Sequence, residues 1–180
     1  MEVLNEGYLS RCIKRLKGWN APLSGWECLH MYDVEGDDND LECINLFTCE
    51  LCNCSQVRYV HVMHHSEYFE EISVGCICAG IMEGDIFTAK ERERQMKNRA
   101  KRKENYLKRG WHWSANGNRT IRYKNHQLTI IPSRYDNGGY GVVIDGKSVW
   151  RYKGKQITNT LSATLTAFDL IDPPIGGRPI

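Results

Sequence analysis

The sequence lacks long apolar runs. No stretch approaches the roughly 20 apolar residues that a membrane-spanning helix needs. The first residues, MEVLNEGYLSRCIKRLKGW, carry acidic side chains early and no continuous apolar segment, whereas a secretory signal peptide requires one. The sequence therefore predicts a cytoplasmic protein without a membrane partner.

Motifs typical of an enzyme are also scarce. The sequence shows no nucleophile paired with a catalytic base, no glycine-rich loop for a nucleotide and no pair of catalytic carboxylates. DNGGYG is rich in glycine but lies between two predicted strands, which favours a hairpin turn over a phosphate cradle. The acidic stretch 35–42 does not place a glycine and a distal glutamate at the positions that an EF-hand loop requires, and it indicates a solvated loop.

Cysteine, by contrast, is abundant, with 8 residues in 180. Because disulfides are rare in the cytosol, this number favours metal binding. Three cysteines have no paired neighbour and are interpreted as small buried apolar residues. They are Cys12, Cys28 and Cys43.

The remaining cysteines predict a structural zinc site. Cys49 and Cys52 have the spacing of a zinc knuckle, and Cys76 and Cys78 follow a predicted hairpin at the start of a helix. A knuckle, a hairpin and ligands from a helix N-terminus together indicate a treble-clef zinc finger. The short C-x-C spacing leaves room for another fourth ligand, and four residues could supply it: Cys54, His61, His64 and His65.

The segments CELCNC, RYVHVMHH and VGCICAGIMEGD, followed by RERQMKNRAKRK and WHWSANGN, carry a resemblance. Residues 46–118 resemble a group of uncharacterised bacterial and phage zinc-finger proteins with RYVH-like and VGCxCA motifs. The resemblance implies a zinc-binding module of treble-clef type and does not supply an activity.

A nuclease of the HNH type is an alternative, since these enzymes are also built on treble clefs. Their catalytic histidine lies on the hairpin, where His64 and His65 follow a predicted strand. The asparagine and the second metal-binding histidine that such enzymes need are not found in the following segment. Catalytic residues are therefore not predicted.

Charge is distributed unevenly along the chain. Residues 1–84 contain 5 Lys/Arg and 14 Asp/Glu, residues 85–110 contain 10 and 4, and residues 111–180 contain 9 and 4. The basic C-terminal half suits a polyanion such as nucleic acid. The acidic N-terminal half suits two alternatives. Its negative charge neutralises the basic half within the fold, or it binds a host protein, as an inhibitor or modulator of a host enzyme or defence system would.

Residues 85–109 contain neither glycine nor proline and predict a long basic helix, which Gly110 would end. Basic residues recur on this helix and, interleaved with aromatic residues, on the strands that follow. Six are predicted to contact nucleic-acid phosphates: Arg94, Lys97, Lys101, Arg102, Arg119 and Arg122.

The C-terminal part predicts an antiparallel sheet with one packed helix. The alternating segments 119–124, 127–132, 139–145 and 148–153 are separated by the turn sequences KNHQ, DNGG and DGK. Leu161, Leu165 and Phe168 recur at helical spacing after Asn159. We expect three or four strands and one helix, followed by a flexible tail.

The sequence thus predicts an α+β protein divided into an N-terminal region 1–84 with a zinc module at 46–84, a connecting helix 85–110, a sheet-plus-helix domain 111–172 and a tail 173–180. The predicted function is zinc-stabilised, non-enzymatic binding of nucleic acid, expected to be DNA.

Overall fold

A computed structural model describes residues 5–34, 46–135 and 138–174. The acidic stretch 35–42, Cys43 and the end of the predicted tail, residues 175–180, lie outside the described residues. The described chain combines four helices with antiparallel sheets, so the predicted α+β class is confirmed. It divides into two compact units, the first ending at Ala100 and the second running from Lys101 to Pro174.

The first unit contains a three-stranded antiparallel sheet in which β2 is the central strand. Its elements are α1 (Glu6–Gly18), β1 (Glu27–Asp33), β2 (Tyr59–His64), β3 (Ile72–Val74), α2 (Cys76–Glu83) and the start of α3 (Ile86–Leu107). The hairpin of β2 and β3 and the helices α2 and α3 were predicted. β1 was not, because a register shift between Cys28 and His30 interrupts its alternation.

α1 begins at Asn5, whose side chain accepts hydrogen bonds from the backbone of Gly7 and Tyr8. Its fully buried residues are Cys12 and Leu16, which lie four apart and hence on one face. The face of α1 that packs on the core therefore includes Cys12 and Leu16.

α3 extends from Ile86 to Leu107 without a break, as the absence of glycine and proline predicted. Asp85 accepts a hydrogen bond from the Thr88 amide at 3.0 Å and fixes the start of the helix. The division between the two units falls inside this helix, after Ala100. The predicted separate connecting segment 85–110 is thus shared between them.

The second unit contains a five-stranded antiparallel sheet in the order β4-β5-β6-β7-β8. These strands are β4 (His112–Trp113), β5 (Arg119–Tyr123), β6 (His126–Pro132), β7 (Tyr140–Ile144) and β8 (Lys147–Val149), and a separate pair is formed by β9 (Arg151–Tyr152) and β10 (Lys155–Gln156). β4 was missed because two residues show no alternation. The strand predicted at 148–153 is divided into β8 and β9.

Three hairpins of the second unit have two-residue turns with positive φ at both positions. The turns are Lys124–Asn125, Asp145–Gly146 and Lys153–Gly154. This backbone matches the twist of antiparallel strands, and it is most easily adopted by glycine and by residues such as asparagine and aspartate. The turn residues therefore fix the strand register on which the faces of the sheet depend.

α4 (Thr160–Ile171) begins at Asn159, whose side chain accepts from the Ser162 amide, and packs on β6 and β7. Phe168 and Ala167 from this helix join Leu128, Val142 and Tyr106 in one buried cluster. One face of the sheet is thereby covered. Among the described residues, no helix is both long and apolar enough to cross a membrane.

Candidate metal centre and sheet surface

Three cysteine thiols of the first unit converge on one point. The Sγ atoms of Cys49, Cys52 and Cys78 lie within 4.8 Å of one another, and these residues could hold a metal ion. Cys49 and Cys78 are almost completely buried, with exposures of 0% and 1%. All three belong to the predicted ligand set, so the structure brings three of its four members together.

A tight turn positions the first two thiols. The Asn53 amide donates to the Cys49 carbonyl at 2.8 Å, the Cys49 amide donates to the Cys54 carbonyl at 2.8 Å, and Asn53 has a φ of 59°. The Gly75 amide, at the start of α2, donates to Cys49 Sγ at 3.4 Å. Backbone donors of this kind stabilise a thiolate. Hydrogen bonds from Cys78, Gly75 and Cys52 lower the pKa of Cys49 to about 5, although burial acts in the opposite direction.

Cys12 of α1 places another thiol beside this group, although it is not one of the three cysteines whose Sγ atoms lie within 4.8 Å of one another. Its side chain is 1% exposed and hydrogen-bonds with Cys78, and it lies close enough to Cys49 for their charges to interact. The hydrogen bond with Cys78 is the main cause of the lowered pKa of Cys12. We call Cys12, Cys49, Cys52 and Cys78 the cysteine centre.

The sequence interpretation missed Cys12, which was assigned to the core. A usable signal was present, since Tyr8, Cys12 and Leu16 recur every four residues and share one helix face. The Tyr8 hydroxyl shares a hydrogen bond with Cys78 Sγ at 3.0 Å. Burial, together with hydrogen bonds to Cys52 and Cys78, raises the pKa of Tyr8.

Cys76 does not lie in the cysteine centre, and its predicted role there needs correction. α2 begins at Cys76, so Cys76 and Cys78 are two residues apart on a helix. Side chains at this spacing are separated by about 200° around the helix axis and do not face each other. The predicted C-x-C pair therefore points in two directions.

Cys76 instead belongs to a second group with His61 and Glu93, whose ligand atoms also lie within 4.8 Å of one another. We call these three residues the His61 group. His61 is completely buried, and burial together with the charge of Arg92 lowers the pKa of His61 to about 4. Burial and the neighbouring Glu93 raise the pKa of Cys76 to about 12.

The other predicted substitute ligands lie elsewhere among the described residues. Cys54 is exposed. His64 ends β2 opposite Glu27. His65 lies against Trp26 with ring centroids 5.4 Å apart, and its Nδ1 accepts from the Glu67 amide at 3.0 Å. None of the three joins a group of metal-binding side chains in the described chain.

Several basic residues of α3 form ion pairs with acidic neighbours. Arg94 pairs with Glu91 at 2.7 Å, and Lys97 pairs with Glu93 one turn away. Arg102 makes two hydrogen bonds to Asp172, at 2.6 and 2.9 Å, and Lys124 joins the same carboxylate at 2.9 Å. These pairs hold the pKa of Asp172 at about 2. Part of the positive charge predicted for phosphate contact is thus matched within each unit.

Arg119 and Arg122 lie on opposite faces of the five-stranded sheet. Arg122 is opposite Gln127 in the register, whereas Arg119 is opposite the buried Ile130. Since side chains alternate along a strand, residues three apart face opposite sides. Arg119 stacks over Trp113 of the edge strand at 5.5 Å, so the two predicted phosphate contacts belong to different surfaces.

The face that carries Arg122 is open and polar at one end and aromatic at the other. Gln127, Thr120 and Thr129 lie beside Arg122, and Thr120 and Thr129 have their hydroxyl oxygens 3.3 Å apart. At the other end the Trp150 ring covers Gly141, where an added Cβ would come within 2.7 Å of the ring. A cleft of about 1050 Å³ adjoins this end and is lined by Trp150, Ile131, Pro132, Ser133, Arg134, Tyr135, Asn116 and Asn118.

Comparison of the chain with protein-family models, with curated proteins and with solved structures finds no match. The resemblance to bacterial and phage zinc-finger proteins therefore stays a prediction, and function has to be inferred from the sites themselves.

Proposed function

We propose that the protein is a zinc-stabilised nucleic-acid-binding protein. In this proposal the cysteine centre holds a structural zinc ion, and the open face of the five-stranded sheet binds DNA. The observation that carries the functional part is the polar and aromatic set on that face, opposite the face covered by α4.

Four thiols suit zinc. Zinc binds cysteine sulfur at about 2.3 Å in tetrahedral geometry, which places neighbouring sulfurs roughly 3.8 Å apart. The 4.8 Å limit within which Cys49, Cys52 and Cys78 lie is compatible with closure around one ion. With Cys12 as the fourth ligand the coordination shell is complete, which is typical of a structural site and not of a catalytic one.

A treble-clef arrangement is the finer part of this proposal. Its support is the order of elements: the turn with Cys49 and Cys52, the hairpin of β2 and β3, and α2 with Cys78 in its first turn. The proposed site departs from the usual pattern because its last ligand comes from α1 and not from a second position on α2.

The open sheet face has the side chains that read bases. Arginine and glutamine make paired hydrogen bonds to guanine and adenine edges, and threonine can contact either base or phosphate. Antiparallel strands are known to enter DNA grooves. Trp150, 42% exposed, offers a surface on which an unpaired base could stack. Arg122, with Gln127 beside it, is therefore the strongest contact we propose.

The cations of α3 have a smaller proposed role. Arg94, Lys97 and Arg102 would have to exchange a carboxylate for a phosphate, which reduces their net contribution. Lys101 lies on the same helix and completes the proposed phosphate contacts together with Arg122. Such contacts position a protein on nucleic acid without selecting a sequence.

The test compares two variants with the same change of charge on opposite faces of the sheet. Binding of fluorescent double-stranded DNA, single-stranded DNA and RNA is measured by anisotropy at two salt concentrations. We expect salt-sensitive binding that Arg122→Gln weakens by about 5- to 150-fold, since a base or phosphate contact contributes roughly 1–3 kcal/mol. Arg119→Gln is the matched control and should bind as the parent does.

An equal loss of affinity in Arg122→Gln and Arg119→Gln would show that only the net charge of the protein matters, and it would contradict a role for the open face of the sheet. Absence of binding to all three nucleic acids would overturn the proposal. In that case the predicted alternative, binding of a host protein by the acidic N-terminal half, becomes the one to test.

A further inference from the structure

The His61 group is not explained by the cysteine centre. His61 comes from β2, Cys76 from the start of α2 and Glu93 from α3, so three separate elements of the first unit bring a nitrogen, a sulfur and an oxygen together. Their ligand atoms lie within 4.8 Å of one another. Convergence from three elements differs from the chance clustering of neighbours on one surface.

His61 itself points to a missing partner. The residue has 0% exposure, and its Nε2 atom has no hydrogen-bond partner. The other ring nitrogen, Nδ1, lies 4.0 Å from Cys28 Sγ. Buried polar atoms without a partner are rare in native proteins and need an explanation. A metal ion bound at Nε2 would provide one.

The surroundings leave the imidazole of His61 and the carboxylate of Glu93 available, whereas Cys76, whose pKa is raised by burial and by Glu93, would release its proton to solvent when the ion binds. Burial and the nearby charge of Arg92 keep the imidazole neutral, which is its metal-binding form. Arg92 itself pairs with Glu83, which offsets its charge. Glu93 accepts from Lys97 through Oε1, so Oε2 can still bind a metal.

The geometry points to a second zinc site formed by His61, Cys76 and Glu93, with its fourth position open. Zinc accepts nitrogen, sulfur and oxygen ligands, and three protein ligands with an exchangeable fourth are typical of reactive zinc sites. Two clefts, of about 530 and 490 Å³, reach Cys76 and Glu93, and Lys97 lines both. The fourth ligand would be water or a small anion drawn by this lysine.

The test counts metal ions in the full chain and replaces zinc by cobalt, whose visible spectrum reports its ligands. We expect about two metal ions per chain, one for the cysteine centre and one for the His61 group. Cys76→Ser and Glu93→Gln should each lose or weaken only the second, by more than about tenfold, since even loss of an outer partner costs 10- to 100-fold in affinity. Glu93→Gln keeps the size of a partly exposed side chain and should fold normally.

Cys54→Ser, at an exposed cysteine, is the control and should retain both ions. Azide added to the cobalt protein should change only the spectral bands that Cys76→Ser removes, because a closed four-cysteine site has no free position. One ion per chain in the parent, unchanged in Cys76→Ser and Glu93→Gln, would overturn the second site. Absence of an azide effect would overturn its open position.

These results are independent of nucleic-acid binding. Loss of the first ion in Cys12→Ser with retention of the second would separate the two sites directly.

Discussion

Tyr8, Cys12 and Leu16 share one face of α1, so the helix contributes a thiol and a hydroxyl to the cysteine centre as well as apolar surface. The thiol hydrogen-bonds with Cys78, and both residues are almost completely buried. A ligand from a distant helix has a larger effect than one within the turn, because it closes a long loop when the ion binds.

We predict that Cys12→Ser loses the zinc ion of the cysteine centre and lowers the free energy of unfolding of the first unit by roughly 4 kcal/mol or more, since loss of a metal is among the most destabilising single changes. Elemental analysis and chemical unfolding followed by circular dichroism measure both effects. Cys54→Ser should retain the ion and full stability. A folded Cys12→Ser protein with unchanged zinc would remove Cys12 from the site.

Asp172 ends α4 and receives Arg102 and Lys124, with only 8% of its side chain exposed. Its pKa is about 2, below the unfolded value near 3.9. Because the pKa is lower in the folded state, the ion pairs of the Asp172 carboxylate stabilise the fold above about pH 4. This contribution is lost as the pH falls from about 4 to 2 and the carboxylate becomes protonated.

Asp172→Asn should therefore destabilise the second unit by about 1–3 kcal/mol at pH 7 and by much less near pH 2. Thermal unfolding at several pH values measures the difference. Asp145→Asn, at an exposed pair with His126, is the control and should change the stability much less than Asp172→Asn does. A pH-independent effect of Asp172→Asn would argue against the ion pair as its cause.

At the scale of elements, α2 and α3 approach each other very closely at Gly80. A Cβ atom at this position would lie 2.5 Å from the Cα atom of Ile86. The contact is with backbone, which cannot move aside as a flexible side chain would. The close approach keeps Cys76 on α2 near Glu93 on α3, and hence the His61 group depends on it.

We expect Gly80→Ala to destabilise the first unit by about 1–3 kcal/mol through overpacking and to weaken metal binding by the His61 group. Gly18→Ala, at the end of α1, meets no atom within 4 Å and should change stability by less than about 0.5 kcal/mol. Denaturant unfolding of both variants measures the contrast, and equal stability would show that the helices separate easily.

The sheet of the second unit illustrates how an element creates a functional surface. Its two-residue turns set a register in which Ile121, Leu128 and Val142 face α4, and Arg122 and Gln127 face outward. A shift of one residue would exchange the two sets. The proposed DNA-binding face is therefore a consequence of turn geometry as much as of the side chains it carries.

At the scale of the whole molecule, each of the two units has its own apolar core, which includes Leu16, Trp26 and Met63 in the first and Tyr106, Phe168 and Leu128 in the second. Within the described residues, both groups of metal-binding side chains lie in the first unit. Removal of metal should consequently affect them unequally.

We predict that a chelator will greatly increase hydrogen exchange in β2, α1 and α2, while β5, β6 and β7 keep their protection. Hydrogen exchange of the full chain followed by mass spectrometry measures this. Restoration of zinc should reverse the change. Equal loss of protection in both units would contradict their independence, and no loss in either would contradict a structural metal.

Much of the local structure could be predicted from the sequence. The long α3 follows from the absence of glycine and proline, and α4 follows from its Asn159 cap, although Leu161 of the predicted apolar face is 50% exposed and of the three predicted residues only Phe168 is fully buried. The cysteine pair of the knuckle and most strands of the second unit follow from short-range spacing and turn residues. These features depend on interactions between residues close in the chain, which a sequence displays directly.

Only the tertiary structure decided which ligands meet. Cys12 reaches Cys78 across 66 positions of the chain, Cys76 turns away from its neighbour to join His61 and Glu93, and Arg119 and Arg122 lie on opposite sheet faces. Spacing in a sequence gives the direction of a side chain relative to its own helix or strand. It does not give the packing of that element against others, and the packing determines which distant side chains share a site.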